Sequence, residues 1–371
     1  MRRVRTFEER VGELFVRGHS AGSMLHLSIG EEAAAVGVCS VMKEVDTFTT
    51  HHRGHGIFLA RGGDPGRMMA EIGGKQSGYC HGKGGSMHIA DMGLGHLGAN
   101  AIVGGGIPSV IGAALAAKRK KSGAVSLAFF GDGAMQQGIL YESMNMAALW
   151  DLPVLFVCIN NQYGMGTRID KATRATNLHE RALAFGLNGV SVDGLDVTLV
   201  QEATRQLIDD ARVGRPGFLA VSCYRFFGHA RMDKSPYRSN EEEIAGRRKD
   251  PVKFARNQLL DQGHGENELA AMDNSIIATG GGVVLSTENR ACLKTSGRIV
   301  YLKSTAEKLF SRTFKDKRRP LLNTEDRMAK IIELLEHRGP LYEEIADLTI
   351  CTDNKHVNQI VNKISQQLTI T

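Results

Sequence analysis

The residues best placed to do chemistry are Gly131-Asp132-Gly133 and, further along the chain, Asn161 and Tyr163. Together they suit a diphosphate held through a divalent cation. Magnesium takes six oxygens in a near-octahedral shell and usually keeps some of its water. Asp132 offers a carboxylate oxygen, Asn161 an amide oxygen and Tyr163 a backbone carbonyl. Two diphosphate oxygens and a water complete the six. Gly131 and Gly133 let the backbone approach the phosphates and turn toward the next helix, whose free N–H groups favour an anion.

Such a site needs strands to carry it. Val125 to Phe130 and Val154 to Ile159 are short apolar runs that suit buried parallel strands, and each ends just before one of the motifs. Helices are expected over Ile107 to Lys121, Gln137 to Trp150, Glu180 to Phe185 and Val197 to Arg212, with a further strand over Phe218 to Cys223. This alternation predicts an α/β fold with an open parallel sheet, whose ligands sit at the carboxyl ends of the strands. Residues 6 to 41 read as helices around a turn at His19 to Gly22, and residues 47 to 96, rich in glycine and histidine, read as loop-heavy. The basic run Lys118-Arg119-Lys120-Lys121 reads as a helix C-terminus stopped by Gly123.

Composition narrows the classes. A net charge of +6 and a pI near 9.0 are mildly basic, but the acidic residues are interleaved, so no nucleic-acid partner is expected. The six cysteines form no Cys-x-x-Cys pair, which suits reduced thiols in a cytoplasmic protein. No apolar run is long enough to span a bilayer, and no membrane partner is expected. His51, His52, His55, His81 and His88 lack the helical spacing of a zinc site. Gly104-x-Gly106 misses the dinucleotide fingerprint, because Ser109 stands where its third glycine belongs.

Several longer stretches carry a resemblance. They include Leu25 to Glu32, Thr50-His51-His52-Arg53-Gly54-His55-Gly56, Gly82 to Asp91, Asn160 to Gly166, Tyr224-Arg225-Phe226-Phe227-Gly228-His229 and Arg248-Lys249-Asp250-Pro251. Over residues 1–262 the chain resembles the α subunits of the thiamine-dependent first component of 2-oxo acid and acetoin dehydrogenase complexes. The resemblance implies thiamine diphosphate and Mg2+ as cofactors, with Asp132, Asn161 and Tyr163 at the metal. It implies cofactor contacts from Gly131, Gly133 and Ala134, and diphosphate-binding arginines at Arg53 and Arg225. Val103 faces the aminopyrimidine. His52 lies near the diphosphate, and His229 lies on an active-site loop where it can serve acyl transfer. Ala230 stands where many relatives carry a phosphorylated serine, so that control is not expected. The glutamate that activates thiamine belongs to a β subunit in this family. The implied assembly is therefore an α2β2 heterotetramer passing acyl groups to a lipoyl acyltransferase core. The substrate is a 2-oxo acid or acetoin, with pyruvate and acetoin about level.

Near Gly263 the character changes, and a strand and glycine run is expected over Ser275 to Gly282. A second domain is expected over 263–371, of which residues 266–371 resemble the C-terminal part of a bacterial shikimate kinase, through Ile276 to Gly282, Asp316 to Leu322 and Arg338 to Asp347. By position Gly280, Gly281 and Gly282 correspond to shikimate contacts, Arg319 to a lid residue near ATP, and Arg338 to the shikimate carboxylate site. The chain has no Gly-x-x-x-x-Gly-Lys-Ser/Thr loop to cradle a phosphate, and the kinase's first strand is missing. An incomplete P-loop-kinase-like α/β segment, poorly packed and without kinase activity, is expected. The other readings are a working shikimate kinase and a non-catalytic fusion.

Overall fold

Val154 to Ile159 has no polar side chain to turn toward water, so a strand built from it must be covered on both faces. In the computed structural model it forms a strand buried at every position. The structure describes residues 1–20, 22, 24–262, 282–313 and 326–368. The chain divides into two compact units, Met1–Leu259 and Leu260–Thr371.

The strands of the first unit are β1 (Thr47–His51), β2 (His96–Asn100), β3 (Ser126–Gly131), β4 (Val154–Asn160), a small hairpin of β5 (Tyr163–Gly164) and β6 (Thr167–Arg168), then β7 (Asn188–Asp193) and β8 (Gly217–Ser222). Six of them make one parallel sheet in the order β2-β1-β3-β4-β8-β7. The helices around them are α1 (Arg2–Val16), α2 (Glu32–Cys39), α3 (His55–Ala60), α4 (Pro65–Ile72), α5 (Ile107–Lys120), α6 (Gly138–Leu149), α7 (Ile169–Ala172), α8 (Glu180–Leu183), α9 (Val197–Arg212), α10 (Asn240–Arg248) and α11 (Pro251–Asp261).

Alternation along the strands sorts side chains into two cores. Ala128, Phe130, Phe156, Cys158 and Phe218 pack with Val110 and Ala114 of α5 and Met144 and Ala147 of α6. Leu127, Phe129, Leu155, Val157 and Leu219 face the other way, against Ala34 and Val38 of α2 and Val200 and Leu207 of α9. The open parallel sheet with helices on both faces agrees with the expected fold class. The basic run closes α5 as expected: Lys121 takes a left-handed conformation (φ 52°) just past the helix, and Lys118 Nζ donates to the Trp150 carbonyl at 2.7 Å.

One expectation needs correction and another is filled in. The loop-heavy stretch over 47–96 also holds β1, which sits inside the sheet, and the helices α3 and α4, with β2 starting at its end. Thr47-Phe48-Thr49-Thr50 looks polar, but threonine is β-branched and suits a strand. Phe48 fills the core, and the Thr47 hydroxyl pairs with Ser126 Oγ at 2.8 Å. Between α1 and α2 the chain is not a short turn. The segment from Leu25 to Ile29 is irregular and its side chains are buried, so its backbone is satisfied by other groups, Glu8 among them.

The second unit, taken by itself, is also α/β. Its described elements are α12 (Thr287–Ser296), β9 (Val300–Lys303), α13 (Ala306–Thr313), α14 (Arg327–Ile345), β10 (Leu348–Cys351) and α15 (Val357–Leu368). Strands β9 and β10 pair in parallel. Among its described residues, Val284, Ile331, Ile345 and Ile350 are the apolar side chains that are fully buried. The expected strand and glycine run falls on residues 275–282, of which only Gly282 is described; Gly280, Gly281 and Arg319 lie outside the described residues. Gly282 precedes a one-turn 3-10 helix, Val283–Leu285, and Arg338 lies on α14. No helix among the described residues is long and apolar enough to cross a membrane.

Candidate cofactor site

Strands β3 and β4 are neighbours in the sheet, with Gly131 paired to Ile159. That register brings the residues following each strand to one rim. The two loops touch: a Cβ on Gly133 would stand 3.2 Å from Gly164 Cα, which explains a residue without a side chain there. The turn toward the helix is a 3-10 turn, Asp132–Gln136, and α6 starts at Gly138, next to the expected Gln137. Any N–H groups offered to an anion at this motif therefore belong to the 3-10 turn and not to α6. Ala134 is buried in the same turn.

Asp132 is 1% exposed, and its Oδ2 has no hydrogen-bond partner. Burial pushes its carboxyl up to about 6. A buried carboxylate oxygen without a donor is costly unless a cation supplies the missing charge. Asn161 lies beside it. Its Nδ2 donates to Glu31 Oε1 at 2.8 Å, while its Oδ1 accepts from the Tyr163 N–H at 3.2 Å and keeps a second lone pair. Tyr163 is buried, with its hydroxyl donating to Glu242 at 2.8 Å. These residues fit a hexacoordinate cation: an orphan carboxylate oxygen, an amide oxygen and a nearby main chain.

Two buried arginines stand at the same rim. Arg53 donates from Nη1 to the Leu27 carbonyl at 2.8 Å and from Nη2 to the His229 carbonyl at 3.0 Å. Its Nε is 3.9 Å from Glu31. Arg225 donates to the carbonyls of Phe227 (3.0 Å) and Met165 (3.3 Å) and to the Tyr237 hydroxyl (3.1 Å). Burial, and then the charge of Arg53, lowers Arg225 to about 10. Neutral carbonyls and a hydroxyl take most of the donors of both forks, with Glu31 the nearby carboxylate, so positive charge is left for an anion.

The loop after β8 brings His229 in. Its N–H donates to Asp233 at 2.7 Å, and the Tyr237 hydroxyl donates to the same carboxylate oxygen at 2.6 Å. His229 lies 5.4 Å from His52 between ring centroids, and His26 stands 4.6 Å from His52 and 4.8 Å from His229. Of the histidines that cluster in sequence, His51 stays near His52, with ring centroids 5.4 Å apart, and the others have different partners. His55 is buried against Glu8 and Ser86, His81 faces the Gln76 carbonyl, and His88 faces the Ala99 carbonyl. Val103 lies between β2 and α5 and is 50% exposed, apart from this buried group.

Glu31 and His26 are functional candidates that sequence reasoning left without a role. Glu31 is buried, its Oε2 has no partner, and burial raises its carboxyl above the ordinary range. The signal for it was a pair of acids, Glu31-Glu32, set directly against the small apolar run Ala33-Ala34-Ala35-Val36. An acid at the buried start of such a helix needs a partner.

Residues 266–369 match the shikimate kinase family. A solved shikimate kinase from Acinetobacter baumannii, in complex with shikimate, is 32% identical. The match covers 35% of this chain and 66% of that one, just under two thirds of its length, at a TM-score of 0.27, too low to speak for a shared fold. The α subunit of acetoin:2,6-dichlorophenolindophenol oxidoreductase from Bacillus subtilis is 46% identical over 262 residues, 70% of this chain and 78% of that protein. The pyruvate dehydrogenase E1 component subunit alpha of Zymomonas mobilis is 43% identical over 276 residues, 74% of this chain and 78% of that protein. Residues 1–279 match the dehydrogenase E1 component family, so the chain belongs to that family of oxidoreductases and carries a shikimate-kinase-family segment at its C-terminal end.

Proposed function

We propose that the chain is the α subunit of an acetoin or pyruvate dehydrogenase complex, dependent on thiamine diphosphate and Mg2+. The supporting observation is the orphan Oδ2 of buried Asp132 beside Asn161 at adjacent strand ends. Asp132, Asn161 and the Tyr163 carbonyl hold the metal. Arg53 and Arg225 neutralise the diphosphate, Gly131, Gly133 and Ala134 line its approach, and Val103 meets the aminopyrimidine. When bound, the cofactor supplies the carbanion chemistry that decarboxylates a 2-oxo acid or cleaves acetoin.

The protein's own part is to orient and to exclude water. Arg53 ties the segment carrying Leu27 to the loop carrying His229, so anion binding and loop placement are coupled. Burial lowers His229 to about 4, so its ring is neutral near pH 7 and can accept or relay a proton beside the reacting centre. His52 stands next to it. A β subunit completes the site in an α2β2 assembly, and a lipoyl acyltransferase core receives the acyl group; the protein is placed in the cytoplasm. We assign the thiamine function to residues 1–262 and no kinase activity to residues 263–371, because no phosphate-binding loop exists in the chain.

Calorimetry of thiamine diphosphate binding with Mg2+ tests this, using the chain co-expressed with its β subunit. Saturable, Mg2+-dependent binding is expected for the wild type and lost in Asp132→Ala. A folded wild-type complex that binds nothing overturns the reading, and ATP-dependent phosphorylation of shikimate would restore the kinase alternative.

A further inference from the structure

We propose that His26, His52 and His229 form a transition-metal site, distinct from the Mg2+ position at Asp132, that takes Zn2+ or a similar ion on three imidazole nitrogens. Each of the three offers a ring nitrogen, and these atoms all lie within 4.8 Å of one another. His26 is 3% exposed, and the Nδ1 atoms of His26 and His229 are buried without a hydrogen-bond partner. Buried polar atoms are ordinarily paired, so two orphan imidazole nitrogens in one group mark a place where something else can bond.

The chemistry of the donors selects the ion. Three nitrogens and no carboxylate suit borderline-soft metals, whereas Mg2+ and Ca2+ require oxygen. Arg53 opposes any second cation nearby, which disfavours ions held by charge alone. A tetrahedral ion at about 2.0–2.1 Å from each ligand needs nitrogens about 3.3 Å apart, so the rings must draw together. His52 and His229 can do this because His52 directly follows β1, His229 lies on the loop after β8, and both are only half-buried. Three protein nitrogens leave a fourth position open. An ion there would lock His52 and His229 together, and the expected effect on catalysis is inhibition.

The test is a Co2+ titration of the full-length chain, followed by visible absorption. One Co2+ per chain with four-coordinate ligand-field bands, displaced by Zn2+, is the expected result. Removing a direct ligand in His229→Ala or His26→Ala should weaken binding by more than the roughly 10-fold to 100-fold that losing a supporting partner costs. His229 is partly exposed and its alanine variant should fold even if the His26 variant does not. His88→Ala, at an exposed histidine outside the group, should bind as wild type does. Asp132→Ala should also keep Co2+, which separates this site from the thiamine reading: that reading can fail while this one stands. Absence of stoichiometric binding, sulfur-to-cobalt charge-transfer bands from the cysteines, or unchanged affinity in folded His229→Ala would overturn the proposal.

Discussion

Strands β4 and β10 are both parallel strands, yet the first is buried along its whole length and the second only at Ile350. The difference lies in their surroundings. β4 has β3 and β8 on its two edges and helix-borne side chains on both faces. β10 pairs only with β9 among the described residues, and β9 is half-buried at best. A parallel strand is stable when both faces and both edges are covered. The first unit meets that condition and the second, among its described residues, does not.

Truncating a core side chain in each unit is the strongest way to break the comparison. Phe156→Ala, at a fully buried position on β4, should cost about 3–5 kcal/mol. Ile350→Ala, equally buried on β10, should cost about 2 kcal/mol, the low end for such a change, because a small core collapses more easily around a cavity. Hydrogen exchange reads the two strands separately in one sample. Equal losses of protection would show that the units are packed alike.

The same contrast explains what was legible in the sequence. The strands β3, β4 and β8 announced themselves because strands covered on both faces must be continuously apolar, and their ends carried Asp132 and Asn161. β1 and β7 did not, because Thr47-Phe48-Thr49-Thr50 and Asn188-Gly189-Val190-Ser191 hide β-branched strands behind polar letters. The pairing of Asp132 with Asn161 could be inferred from neighbouring strand ends. The third histidine could not: His26 sits on an irregular segment with no periodicity, and only the fold brings it to His52 and His229. Val103, given its role by position, is half exposed in this chain.

The first unit bears a conflict between function and stability that a second substitution sharpens. Burial raises Asp132 to about 6 from an ordinary 3.8. Below pH 3.8 the group is protonated folded or unfolded and costs nothing. As pH rises from 3.8 to 6 the unfolded chain loses its proton first, and the folded state loses stability. Above pH 6 the penalty is constant and amounts to at most about 3 kcal/mol, the proton-binding free energy accumulated between those two pH values. Asp132→Asn should therefore stabilise the metal-free protein by that order at pH 8 and have no effect near pH 3, as read by denaturant unfolding. Added Mg2+ and diphosphate should stabilise only the wild type. Destabilisation of the metal-free protein by Asp132→Asn at pH 8 would mean that the carboxylate is already satisfied.

The smallest effect is expected from ion pairs, and it again separates the units. In the first, the pairs are sunk in the structure: Arg5 joins Glu32 and Asp250, and Arg212 joins Asp46, whose side chain is 0% exposed. In the second, Lys303 meets Glu343 at 2.6 Å with about half of each side chain in solvent (54% and 51%). Water and salt screen such a pair, and holding two long side chains in one geometry offsets what attraction remains. Lys303→Met should accordingly leave the thermal transition of the full-length chain where it is, at low and at high salt alike. A downward shift that disappears in high salt would show that this pair ties β9 to α14 under real tension. The second unit would then rest on its surface charges, and the difference between the units would be one of means and not of completeness.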